Sequence, residues 1–240
     1  MSPTELLDWV EDNIGFFESI SVEDLGTPVP ACPEWDLRYL LNHLAVGVGA
    51  GYQLAVPAYP DTAAEDLFAS VDPSGMQAQG EAALTNFSRQ MRSCLDVFRR
   101  RDPTAPCWTY VGPGTADWWF RRAAVETTIH RYDAEEALGL CSEPMPADRV
   151  VEGLEETFSF ALPFAQQLLG DPRRELVVEC ADVGFSRIVG RSNEAATVTA
   201  TGEAMLKALW GRNRDLVDVD GSLDVANEWF SKIERAFAGR

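Results

Sequence analysis

The spacing of apolar residues changes once along this chain, near Pro172, and that change limits the architectures open to it. Before Pro172 apolar side chains return at helical intervals. After it they fall in short runs rich in Val, Ile and Thr, as in strands joined by turns. Ser2 caps a first helix with Pro3 at its first position, and Leu6, Leu7, Val10, Ile14 and Phe17 follow to about residue 19. A loop from Gly26 to Pro33 holds three prolines. Asp36 then caps a second helix, with Trp35 placed as a staple and Leu37, Leu40, Leu41, Leu44 and Val48 as its stripe. Residues 57–75 are predicted to be loop with one short helix. Long helices are predicted over 76–101, stopping before Asp102-Pro103, and over 116–138, closed by Gly139. Between them, 104–115 reads as an ordered loop. A further helix over 147–169 is expected to kink at Pro163 and to close at Gly170-Asp171-Pro172. Strands are predicted at 175–181, 185–189, 196–201 and 216–219, with helices over 202–210 and from Ser222 through Phe237. The expected organisation is an all-helical bundle over 1–171 followed by a small α+β domain over 172–240.

Charge excludes some partners. With 38 acidic residues against 20 basic ones the chain carries −18, a surface that repels phosphate backbones and anionic lipids. No nucleic-acid or membrane partner is expected. Arg99-Arg100-Arg101 and Arg121-Arg122 are short runs in helical contexts and read as solvated faces. The five cysteines (Cys32, Cys94, Cys107, Cys141 and Cys180) form no C-x-x-C pair, which suits free thiols in a reducing compartment. The acidic N-terminus does not look like a leader, and no run approaches the roughly 18 uncharged residues of a spanning helix. These features predict a cytoplasmic protein. No helix shows an unexplained apolar face, so a monomer is expected.

The two histidines are the residues that carry chemistry. Glu126 and His130 lie four apart on a helix, and Asp133 lies three further on, so all three leave one face beside an apolar arc. His43 sits at the edge of the Leu40/Leu44/Val48 stripe on the second helix. If the two helices are neighbours, His43, Glu126 and His130 converge as a His, His, Glu set. Such a set leaves a coordination position open, the pattern of catalytic zinc. From spacing alone a second account stands beside this one: a surface ion pair between Glu126 and His130, with His43 an unrelated residue at the core edge. Trp108, Tyr110, Trp118 and Trp119 read as core packing, with a cleft wall as the other option. Gly112-Pro-Gly114 is a turn rather than a phosphate loop. Cys32 reads as a small buried residue.

Three stretches resemble the mycothiol-dependent maleylpyruvate isomerase family, within the DinB-like helical bundle superfamily. They are Val29 to His43, with Cys32-Pro33-Glu34-Trp35 inside it; Arg122 to Gly139; and Ala196 to Ala204, followed by Leu209-Trp210-Gly211-Arg212. The resemblance implies a DinB-like up-and-down bundle with a sterol-carrier-like C-terminal domain, mainly α overall. It implies one divalent metal on His43, Glu126 and His130, with zinc expected and nickel, iron and manganese as alternatives. It places Asp133 beside the metal to orient a histidine or handle a proton, and Arg212 in the cleft to take a substrate carboxylate. It implies mycothiol, the small thiol of actinobacteria, as cofactor or co-substrate. A dication ionises a bound thiol at neutral pH, which prepares it to attack a small electrophile in isomerisation or S-transfer. The alternative is a metal-bearing binding protein without turnover, holding a small apolar ligand or thiol conjugate.

Overall fold

The protein is described by a computed structural model covering residues 1–164 and 174–238. The fold is mainly α, with a small α+β part at the C-terminal end. Two compact units divide it, Met1–Ser142 and Glu143–Arg240.

In the first unit the long elements are α1 (Pro3–Glu18), a composite helix, α5 (Glu81–Arg100) and α6 (Ala116–Ala137). The composite helix runs without a loop through α2 (Leu37–His43), a π-helical stretch (Leu44–Ala50) and α3 (Gly51–Ala55). Both α1 and the composite helix pack on α5 and α6, so the four close a ring around one core. The predicted caps form. The Ser2 hydroxyl accepts from the Glu5 N–H while the Glu5 carboxylate takes the Ser2 N–H, and Asp36 accepts from the Tyr39 N–H at 2.7 Å. Buried Asn13 fastens α1 to α6 by donating to the Thr127 and Thr128 hydroxyls at 2.9 and 2.8 Å.

Two expectations in this unit change. Helix α5 begins at Glu81 rather than 76, because a separate 3-10 turn occupies Pro73–Gln77; α4 (Ala64–Phe68) is the short helix before it. The segment 104–115 is a hairpin rather than a loop, with β1 (Pro106–Thr109) paired antiparallel to β2 (Gly112–Thr115).

The second unit starts with α7 (Ala147–Ser159). A sheet follows, in the order β4 (Phe185–Val189), β3 (Glu175–Cys180), β5 (Ala195–Thr199), β6 (Asp218–Gly221); α8 (Gly202–Leu209) joins β5 to β6 and α9 (Leu223–Ala238) closes the unit. Strand β3 is parallel to β5 and the other pairs are antiparallel, so the short link after β4 must cross the start of β3. Gly190 makes that crossing at φ +78°, and a Cβ there would lie 2.2 Å from the Arg174 carbonyl oxygen. Leu176, Val178, Val198, Val225, Trp229 and Ile233 are buried in this unit's core.

The expected boundary at 171/172 is not where the packing parts. Helix α7 packs on α8, with Gly153 against Leu206 and Val150 against Gly202, and so belongs to the second unit. In place of a simple kink the helix is interrupted: α7 stops at Ser159, the residue whose carbonyl a proline at 163 would lose as a partner and clash with, and helix resumes over 161–164. The expected close at Gly170-Asp171-Pro172 lies outside the described residues. Among the described residues no helix is long and apolar enough to cross a membrane.

Candidate metal centre

His43 ends α2, and Glu126, His130 and Asp133 project from α6, the most deeply enclosed helix of the first unit. Every residue of α6 from Arg122 through His130 is buried. The ion-pair account of Glu126 and His130 therefore fails, because both side chains are removed from water. One donor atom each from His43, Glu126 and His130 lies within 4.8 Å of the others. The His43 Nε2 stands 3.5 Å from Glu126 Oε1, and the two imidazole rings meet edge-on at 5.0 Å. Tetrahedral zinc with bonds of about 2.0–2.1 Å spaces its donors about 3.4 Å apart, so the donor set fits a dication in type and the His43–Glu126 pair fits it in separation.

Each donor is held from behind. Asp133, itself buried, places Oδ2 3.0 Å from His130 Nδ1, which leaves Nε2 as the nitrogen available to the centre. Asn42 donates to the Met76 and Ala78 carbonyls at 3.2 and 3.0 Å, pinning the backbone just before His43. Glu126 Oε2 receives two donors, Arg122 Nη2 at 2.9 Å and the Tyr52 hydroxyl. Burial by itself raises the Glu126 carboxyl. The Arg122 charge, with His43 and His130, outweighs that and holds it well below the usual carboxylate range. Burial and the neighbouring Glu126 charge push the Tyr52 phenol well above its ordinary value, so it stays a donor. Trp35 covers the histidines, 4.9 Å from the His43 ring and stacked 5.8 Å from that of His130.

Sequence reasoning missed three of these residues, Asn42, Arg122 and Tyr52. Arg122 was expected on a solvated face and is instead 1% exposed. Tyr52 gave no signal at all. Of the aromatic group, Trp119 is core, packed 4.4 Å from the Tyr52 ring with its indole N–H on the Trp108 carbonyl; Trp108, Tyr110 and Trp118 are half-buried. Cys32 is half-buried rather than buried. Arg212 belongs to the second unit, where it follows α8 and donates to the Trp210 carbonyl.

Residues 6–135 match the family described as the mycothiol maleylpyruvate isomerase N-terminal domain. The chain belongs to that family. Every residue of the candidate centre falls inside the matched span. Two solved structures are similar in fold, one of the mycothiol-dependent maleylpyruvate isomerase and one of a histidine-to-alanine mutant of it. Each has a TM-score of 0.70 at 13% identity, over 93% of this chain and 95% of the other. Among curated proteins nothing matches the chain. For a member of the mycothiol maleylpyruvate isomerase family, the likeness extends through both units as fold. The chemistry has to be argued from the side chains.

Proposed function

We propose that this chain is a metal-dependent enzyme in which His43, Glu126 and His130 hold one divalent ion, zinc first, and mycothiol is the thiol cofactor or co-substrate. The reaction is isomerisation or S-transfer on a small electrophile. The observation that supports this most is the convergence of three buried donors, each fixed by a second residue, inside the family's matched span. A dication bound there supplies the positive charge that keeps a thiol ionised at neutral pH.

The chain's own residues do the rest. Asp133 accepts from His130 Nδ1, fixing the tautomer that points Nε2 inward, and it is a buried carboxylate 3.0 Å from that ring for holding a proton. Arg122 balances the charge of Glu126, so the carboxylate stays ionised although buried. Trp35 shields the histidines and limits water at the centre. Arg212 is the proposed partner for a substrate carboxylate, which a guanidinium binds through two parallel hydrogen bonds. A cytoplasmic, reducing setting agrees with five free cysteines.

Elemental mass spectrometry on untagged protein tests the centre. Near one equivalent of zinc is expected in the parent and none in His43→Ala. No metal in either, after zinc is added back, would sink the proposal. Metal without turnover of any electrophile in the presence of mycothiol would leave a binding protein in its place.

A further inference from the structure

Tyr52 and Arg122 share a single oxygen of Glu126. Both donate to Oε2, whereas Oε1 faces His43 Nε2 at 3.5 Å. A carboxylate oxygen has about two in-plane acceptor directions, and two donors fill them. Both donations are charge-assisted, and both partners are buried with Glu126, so water does not compete for Oε2.

The backbone explains how Tyr52 reaches that oxygen. It stands nine residues after His43, which in unbroken α-helix is about two and a half turns and opposite faces. Between them lies the π-helical stretch Leu44–Ala50. A π-turn takes in one residue more than an α-turn, which sets later positions back by about 100° and brings Tyr52 round to the side of His43. His43 and Tyr52 therefore meet the same carboxylate from one helix, one at each oxygen.

We infer that Tyr52, placed by the π-helical stretch and acting with Arg122, reserves Oε2 and makes Glu126 a one-oxygen ligand. This rests on the proposal that the centre binds a metal. Tyr52 is a positioning residue, since it touches the ligand and not the ion. A carboxylate bound through both oxygens occupies two coordination positions. Held to one, it leaves an additional position for thiol or substrate.

Cobalt(II) taken up by the whole chain reads this directly, because the intensity of its visible bands falls as coordination number rises. Tyr52→Phe keeps the ring on Trp119 and removes only the hydroxyl. It should still bind one equivalent of cobalt, with visible absorptivity lower by at least about twofold as Oε2 joins the metal. Bound cobalt with an unchanged or stronger spectrum overturns the inference and leaves the metal centre standing. No uptake by the parent overturns both. If Tyr52→Phe does not fold, Arg122→Met, which removes the other donor to Oε2, must show the same fall in the fraction that folds for the inference to hold.

Discussion

At the scale of single residues, the balance between Arg122 and Glu126 decides whether the centre can exist. A guanidinium that is 1% exposed is tolerated because Glu126 answers it within one helical turn. Removing one partner strands the other, so Arg122→Met should lower the unfolding free energy by about 3–5 kcal/mol, read from urea denaturation. Adding Glu126→Gln to that variant should recover part of the loss. Asp133→Asn makes a different kind of change. The fold is retained, His130 loses its fixed orientation, and zinc affinity should fall about 10–100-fold by competition with a chelating dye. An unchanged affinity would remove Asp133 from the centre. The positions of Glu126, His130 and Asp133 were legible because α6 is regular, and spacings of four and three put side chains on one face. Arg122 was not legible. Ala123 through His130 are buried without a break, so no polar face exists from which a solvated arginine could be told from an enclosed one.

At the scale of elements, the composite helix carries the strongest constraint. The stretch Leu44–Ala50 lies flat against α5, and a Cβ on Gly49 would come within 2.8 Å of Gln90 Cβ and 3.0 Å of its backbone carbonyl carbon. Gly49→Ala should therefore destabilise the protein by about 1–3 kcal/mol in thermal or urea unfolding, since backbone cannot yield as a side-chain tip can. A neutral result would mean that the two helices separate readily. A stripe at Leu37, Leu40, Leu41 and Leu44 announced this helix, yet nothing in Val46-Gly47-Val48-Gly49 distinguishes a π-turn from an α-turn. Regular phase is what any pattern-based reading assumes, and it sends Tyr52 to the wrong side. The β1–β2 hairpin escaped for a related reason. Its strands are four residues each, and the second, Gly112-Pro-Gly-Thr115, has the composition of a turn. By contrast β3, β4 and β5 fell within a residue or two of their predicted bounds, because Val, Ile and Thr mark them.

At the scale of the whole molecule, buried thiols tie stability to pH on the alkaline side. Burial pushes Cys107 up to about 11 and Cys180 to about 12, and raises Cys94 as well. An unfolded thiol ionises near about 8.5, so these three favour the folded state fully below that value and progressively less as pH rises toward their own. Urea midpoints should fall between about pH 8.5 and 11. A thiol reagent should modify exposed Cys141 and half-buried Cys32 in the native protein and reach the other three on unfolding. Prompt native reaction of all five would contradict the packing. The division into two units was legible in outline, as helices followed by strands. Its position was not, since α7 has an ordinary helical pattern and only its contacts reveal which unit it serves. Those contacts set an order of events at the ribosome. The residues that meet Phe158, Val150 and Gly153 within their unit, namely Phe185, Gly202 and Leu206, all lie later in the chain than α7 and are made after it. Until translation has passed Leu206, a nascent chain carries this helix without all of the partners it has in its own unit, and that interval is when a chaperone has something to hold.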